Sequence, residues 1–309
     1  MANLIMGVGA SHTTLMNTQW DKVDHLQRAH DFRQALHAAS DKIKKAKIDL
    51  AIVIGSNHFR GQWLDMMPTF CIGVGDILSS GEHGTPSGPQ LANPDIAMHI
   101  CNELLAKDFD LSFSTQMAID HGISHAIQYL TIEGEMPIVP IMLNAFAPPL
   151  PSFQRCLSLG QALREIVEQM PDDLNVAVIG SGGLSHQLPF PDWRSPSSDD
   201  DEFLVDSWKH GRGQWEKYEK RRRNIVVNSP PELNQEFDVQ FLSYICDGRA
   251  LDWTKQVSEE KLLRTAGNGA NEIRGWLVML EAMNHPKGEI LAYSPMPEWL
   301  TGMGVFITS

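Results

Sequence analysis

The sequence lacks any apolar run close to the roughly 20 residues that a membrane-spanning helix needs. It also lacks a basic segment followed by an apolar core at its start, so neither a membrane anchor nor a secretory signal is expected, and the cytosol is the default address. Cysteine is scarce. Cys71, Cys101, Cys156 and Cys246 are widely spaced with no Cys-x-x-Cys, which excludes a disulfide framework and a thiolate metal site as readings. Basic residues are outnumbered, 25 Lys and Arg against 38 Asp and Glu, for a formal charge of −13. That balance argues against nucleic acid or an anionic membrane as a partner. An anionic small molecule would need a locally positive site. Several nucleotide and nucleophile motifs are missing too. Gly7-Val8-Gly9 has no third glycine at dinucleotide spacing, and there is no Walker A lysine. Ser185 is not in a Gly-x-Ser-x-Gly elbow, and neither Ser181 nor Ser185 has an orienting carboxylate close in sequence to complete a triad with His186.

What is present is histidine, twelve in all. Three of them share one setting. Val176-Ala177-Val178-Ile179 breaks into Gly180-Ser181-Gly182-Gly183-Leu184-Ser185 and delivers His186. Leu4 through Ser11 leads to His12, and Leu50 through Asn57 leads to His58. Each is a buried, apolar strand that ends in small residues. Open α/β sheets place their ligands beyond strand C-termini, so the three point to one shared polar centre. Singly, each histidine could do no more than bond a loop carbonyl.

The rest of the chain alternates strand and helix, the pattern of an α/β fold. Helices are expected over 24–47, from Asn93-Pro94-Asp95 to about Lys107, from His121 to about Thr131, and over 153–170. His25, His30 and His37 fall in the first of these and read as solvated or capping residues. Strands are expected at 49–56, 69–74, 111–114, 137–144 and 174–179, with a Gly-, Pro- and Ser-rich loop over 79–94 as a pocket rim. Residues 187–201 read as a loop or lid. Beyond them the pattern turns helical: 203–223, 232–247, a helix from Ser258, and 271–283, closed by strands at 289–293 and 304–308. Arg221-Arg222-Arg223 reads as a solvated face or a minor anion contact. With no repeat and no linker, the expectation is one domain over 1–309. It would hold a largely parallel or mixed central sheet, helices on both faces and a helical C-terminal third.

Imidazoles at strand ends suit a divalent transition metal. Two histidines and one carboxylate on one face leave coordination positions open, the arrangement of non-haem Fe(II) oxygenases. The same donors could hold a hydrolytic metal, and the same fold could serve as a non-catalytic binding protein.

The ordered motifs carry a resemblance. Ser11-His12, Ser56-Asn57-His58-Phe59, Asp120-His121-Gly122, the Gly180-to-Gln187 turn and Asn234-Gln235-Glu236-Phe237-Asp238 are together similar to the class III extradiol ring-cleaving dioxygenases, the protocatechuate 4,5-dioxygenase β-subunit superfamily. The resemblance runs from about residue 4 to about residue 308. Segments around Pro151, Ala266, Glu272-Ile273-Arg274-Gly275-Trp276 and Met296-Pro297-Glu298-Trp299 resemble one branch of that family. It implies Fe2+ held by His12, His58 and Glu236, with Asp238 as a rival carboxylate. It implies His186 as acid/base, His121 as a second catalytic histidine touching a substrate hydroxyl, and Thr13 as a substrate contact. The implied partners are a dihydroxylated aromatic and O2, in aromatic catabolism, with homo-oligomeric assembly.

Overall fold

Strand β1 (Asn3–Ala10), β2 (Leu50–Ser56), β6 (Ile138–Leu143) and β7 (Asn175–Ser181) lie side by side and parallel, in the order β6-β2-β7-β1. This is a computed structural model, and it describes residues 1–131, 134–171 and 173–308. The four strands are continuous apolar runs because both faces are covered. Leu50, Ile52, Ile54, Val176 and Val178 pack into one buried cluster, and Ala51, Val53, Ala177 and Ile179 into the other. The first cluster takes in helices α3 (Pro94–Ala106), α5 (Phe153–Gln169) and α11 (Ile273–Ala282); the second takes in the short α1 (Leu15–Thr18), α2 (Gln27–Lys45) and α4 (His121–Leu130).

Further strands complete the sheet. On one side β3 (Phe70–Ser80) pairs antiparallel with β6 and with β4 (Ser87–Gln90), while β5 (Ser112–Ile119) pairs parallel with β3. On the other side β9 (Thr301–Thr308) pairs with β1 and β8 (Gly288–Met296) with β9. The result is a nine-stranded mixed sheet with helices on both faces, as expected from the sequence pattern.

Sequence and structure part in several places, among them β5, expected over 111–114 but running on to Ile119. The stretch 79–94 is not one loop: β3 continues to Ser80, a 3-10 turn covers Glu82–Gly84, and β4 follows. The helix expected over 203–223 is two, α6 (Asp199–His210) and α7 (Glu216–Val227). Gly211 and Gly213 break it. A side chain at Gly211 would run into the Trp63 indole, and Gly213 sits at φ +70°, a conformation glycine adopts without steric cost. An additional helix, α9 (Ala250–Gln256), lies between α8 (Gln235–Cys246) and α10 (Glu259–Ala266). Among the described residues no helix is long and apolar enough to cross a membrane.

Candidate active site

His12 and His58 lie two residues beyond the ends of β1 and β2, and the sheet brings them to one place. Their ring centroids are 5.4 Å apart. Each ring is fixed through its Nδ1. His12 Nδ1 is 2.9 Å from Ser181 Oγ, at the end of β7, and His58 Nδ1 is 3.3 Å from Asp120 Oδ1. The Asp120 carboxylate also accepts the His58 main-chain N–H at 2.5 Å and caps α4 through Gly122 N–H at 2.9 Å. With Nδ1 occupied, the Nε2 atoms face inward. His12 Nε2 is 3.1 Å and His58 Nε2 is 3.4 Å from the same atom, Glu272 Oε1.

The carboxylate in this cluster is therefore Glu272, and not Glu236 or Asp238. Glu236 is exposed in the first turn of α8. Asp238 is buried elsewhere, accepting from Ser185 N–H and hydroxyl and from the Tyr293 hydroxyl. Glu272 ends a 3-10 turn, Asn268–Glu272, that leads into α11. That helix is held against the sheet by Trp276, whose Nε1–H donates to the Gly182 carbonyl at 3.0 Å. Glu272 is 1% exposed; Ser56 Oγ donates to its Oε1, and Gly183 N–H donates to its Oε2 at 2.7 Å.

The electrostatics of the cluster favour a cation. Burial disfavours charge on His58, yet the Asp120 and Glu272 carboxylates hold its pKa up at about 10. Burial also works against the Glu272 carboxylate, but His12 and His58 keep it well below the usual carboxylate range. His12 Nε2 is buried and has no hydrogen-bond partner among the described residues. Two imidazole nitrogens converging on one carboxylate oxygen at 3.1 and 3.4 Å are satisfied by positive charge held among them, a proton or a metal ion. Nitrogen atoms from His12, His58 and His121 also lie within 4.8 Å of one another.

His121 and His186 flank this cluster. His121 opens α4, its ring 3.9 Å from that of His58. Its Nδ1–H donates to Glu82 Oε1 at 2.7 Å, which leaves Nε2 with the lone pair. Burial, with His58 beside it, pushes its pKa well below the ordinary value. His186 Nδ1–H donates to the Leu184 carbonyl at 2.9 Å, with Thr301 Oγ1 at 3.2 Å, and its Nε2 stands 3.9 Å from Glu272 Oε2. Burial lowers its pKa as well. The turn at Gly267 and Gly269 lies directly on this histidine. Gly267 has φ +83°, and a side chain at Gly269 would overlap the His186 imidazole.

All four histidines and Glu272 line one cleft of about 740 Å3, counting its open mouth. Thr13 lines it too, its hydroxyl 3.4 Å from the Trp299 carbonyl. Leu188, Phe190 and Leu300 supply apolar wall; Arg60, Glu82, Glu219, Arg222 and Arg223 supply charge. The structure thus gathers His12, His58, His121, His186 and Thr13, and leaves Glu236 outside. Sequence reasoning noted the Glu272 segment only as a resemblance and missed its carboxylate as the cluster acid; it missed Glu82 and Arg60, and it read Arg222 and Arg223 only as part of a solvated face or minor anion contact. The available signals for Glu272 were its place in the family-like segment Glu272-Ile273-Arg274-Gly275-Trp276 and an acidic residue closing a Gly-rich turn before an apolar helix, which a capping residue also produces.

Comparison with known proteins agrees with the motif resemblance. The family model described as "Catalytic LigB subunit of aromatic ring-opening dioxygenase" matches residues 7–304. The chain is 31% identical over 271 residues to a 2,3-dihydroxyphenylpropionate/2,3-dihydroxicinnamic acid 1,2-dioxygenase of Rhodococcus jostii, covering 83% of this chain and 84% of that protein. A protein of the same description from Comamonas testosteroni is 30% identical over 311 residues, covering 96% and 94%. One from Paraburkholderia xenovorans is 32% identical over 288 residues, covering 87% of each. Matched over nearly its whole length, the chain belongs to the LigB family of aromatic ring-opening dioxygenase catalytic subunits.

Proposed function

We propose that this chain is an Fe(II)-dependent extradiol dioxygenase, one catalytic domain that uses O2 to open a vicinal dihydroxy aromatic ring next to the diol. The observation that carries this reading is the convergence of His12 Nε2 and His58 Nε2 on Glu272 Oε1, at 3.1 and 3.4 Å. Two imidazoles and one carboxylate are the donor set for ferrous iron with positions left open. The unpartnered His12 Nε2 fits such an ion. His12, His58 and Glu272 would hold it. When bound there, ferrous iron supplies acidification of a diol hydroxyl and a path for electrons between ring and O2.

The protein's own work is positioning, proton handling and exclusion of water. One Glu272 carboxylate and one singly ionised diol together match a divalent charge, so the doubly ionised diol is disfavoured until the ring reacts. His121 Nε2, kept neutral by burial and fixed by Glu82, is placed to accept the remaining hydroxyl proton. His186 Nε2, on the opposite flank beside Glu272 Oε2, is placed to return a proton to oxygen as the bond between the two O2 atoms breaks. Both atoms of O2 enter the product, and no external reductant is consumed. Phe190, Leu188 and Leu300 cover the ring and limit water. The relatives' printed names support a catechol bearing a side chain as the substrate type. Homo-oligomeric assembly in the cytosol completes the proposal, and sedimentation in solution measures the first of these.

The test is anaerobic loading with Fe(II), followed by O2 uptake and visible absorbance against a panel of diols. O2 consumption equal to diol consumed, with a coloured ring-opened product, supports the reading. Hydrolysis by the Zn2+-loaded protein with no O2 uptake in the Fe(II) form would replace it with a hydrolase. Failure to take up any metal would point to a binding protein.

A further inference from the structure

The cleft carries one arginine more than its carboxylates require. Outside the metal-site carboxylate Glu272, its acidic residues are Glu82 and Glu219, and its arginines are Arg60, Arg222 and Arg223. Arg60 bridges both acids, with Nε 3.4 Å from Glu82 Oε2 and Nη2 on Glu219. Arg222 is 5% exposed and committed to the main chain: Nη2 donates to the His58 carbonyl at 3.1 Å and Nη1 to the Phe59 carbonyl at 3.3 Å. Arg223 differs. It is half-buried in the cleft wall, and among the described residues it forms no ion pair. Its partners are two neutral hydroxyls, Thr14 Oγ1 at 2.7 Å and Thr18 Oγ1 at 2.5 Å. A guanidinium offers five N–H donors, so several are unspent here; Glu219 and Glu82 favour its charge from a distance, but neither forms an ion pair with it among the described residues.

Two hydrogen-bonded threonines hold that guanidinium in place. Thr14 is two residues past His12, and this ties Arg223 to the same loop that carries the first histidine of the metal cluster. Neighbouring Arg221 is exposed and pairs with Asp200 on the surface, so the basic run divides into a solvated member, a main-chain clamp and a cleft member. On a chain of formal charge −13, an anionic ligand meets net repulsion at long range and needs a fixed local cation.

We propose that Arg223 selects for a carboxylate on the side chain of the diol substrate, with the Thr14 and Thr18 hydroxyls holding the guanidinium toward it. This rests on the dioxygenase reading above. The diol end is neutralised at the metal cluster, and the carboxylate end is neutralised at Arg223. Planar guanidinium and carboxylate match in geometry, which an alkyl or ester side chain cannot exploit.

The experiment compares a catechol bearing a propionate side chain with its uncharged methyl ester. Anaerobic binding by calorimetry and kcat/KM from O2 uptake are both measured on the Fe(II)-loaded full chain. Wild type is expected to prefer the acid. Arg223→Met is expected to lower affinity and kcat/KM for the acid by about 30-fold or more, the cost of removing one partner of a partly desolvated charge pair. The acid-to-ester preference should collapse with it. Arg223→Lys should recover part of the preference, and the surface variant Arg221→Met should keep all of it. If Arg223→Met does not fold, Arg223→Gln, which can still donate to Thr14, carries the same comparison. An acid-to-ester ratio unchanged by Arg223 substitution, or a wild type with no preference for the acid in binding, overturns the proposal. If wild type binds the acid through Arg223 but consumes no O2 with either diol, the dioxygenase reading fails while the anion site stands.

Discussion

Glu82 Oε1 accepts two hydrogen bonds from one residue, the His121 main-chain N–H at 2.8 Å and the His121 Nδ1–H at 2.7 Å. The carboxylate therefore sets both the position and the tautomer of that ring. Glu82 itself is buried, an arrangement opposed by desolvation, but Arg60 and the His121 main-chain N–H hold its carboxyl below the usual range. Replacing Glu82 with Gln removes the charge while leaving an acceptor. Turnover should fall about 10–100-fold, the usual range for the orienting partner of a working histidine. Iron content should be unchanged. Near-normal turnover in the folded variant would remove His121 from proton transfer.

Whether Glu272 is the carboxylate that holds iron with His12 and His58 can be decided by substitution. Glu272→Gln should lose tight Fe(II) binding because the anionic donor is gone, while the amide oxygen still accepts from either Ser56 or Gly183 and the fold is retained. Glu236→Ala, at an exposed helix position, should bind iron as wild type does. Iron titration of both proteins decides it; the reverse pattern returns the assignment to Glu236.

His186 stands beside the cluster with its Nδ1 spent on a carbonyl. His186→Ala should keep iron and anaerobic diol binding and lose about 10²–10⁴ in turnover, the range of general acid–base catalysis. Gly269→Ala should produce a milder form of the same defect, since its methyl group displaces the imidazole without removing it. Loss of iron in His186→Ala would make it a ligand. A lowered melting temperature with normal rate would make it structural.

Asp238 predicts a pH dependence of stability. Burial raises its pKa from 3.8 to about 6, against hydrogen bonds from Ser185 and Tyr293 that favour the charged form. The folded state then holds a proton that the unfolded state releases between about pH 4 and about pH 6. Through that window the Asp238 contribution to stability declines as pH rises, and above about pH 6 it is constant at its lowest. The shift of about two units corresponds to roughly 3 kcal/mol. In urea unfolding, Asp238→Asn should gain on wild type by up to that amount between about pH 4 and about pH 7. A difference that does not vary with pH would show that the carboxylate is not buried as charge.

The sequence by itself determined the sheet and three of its histidines. A short, β-branched apolar run ended by glycine and other small residues favours a covered strand with a tight exit, and parallel neighbours bring such exits together, so His12, His58 and His186 were legible in the sequence. The motif order made the family legible as well. The carboxylate was not. Glu236 and Glu272 look alike in sequence, each an acidic residue beside a helix start, and helix periodicity carries no information about which start abuts the sheet. Tertiary structure decided it through Trp276, which pins α11 to the Gly182 carbonyl and lowers Glu272 between two imidazoles, while α8 leaves Glu236 in solvent. The arginines follow the same rule. Three adjacent basic residues are one charge run in sequence, but helix geometry turns successive side chains to different sides, so α7 sends Arg221 outward, Arg222 to the main chain behind His58, and Arg223 into the cleft.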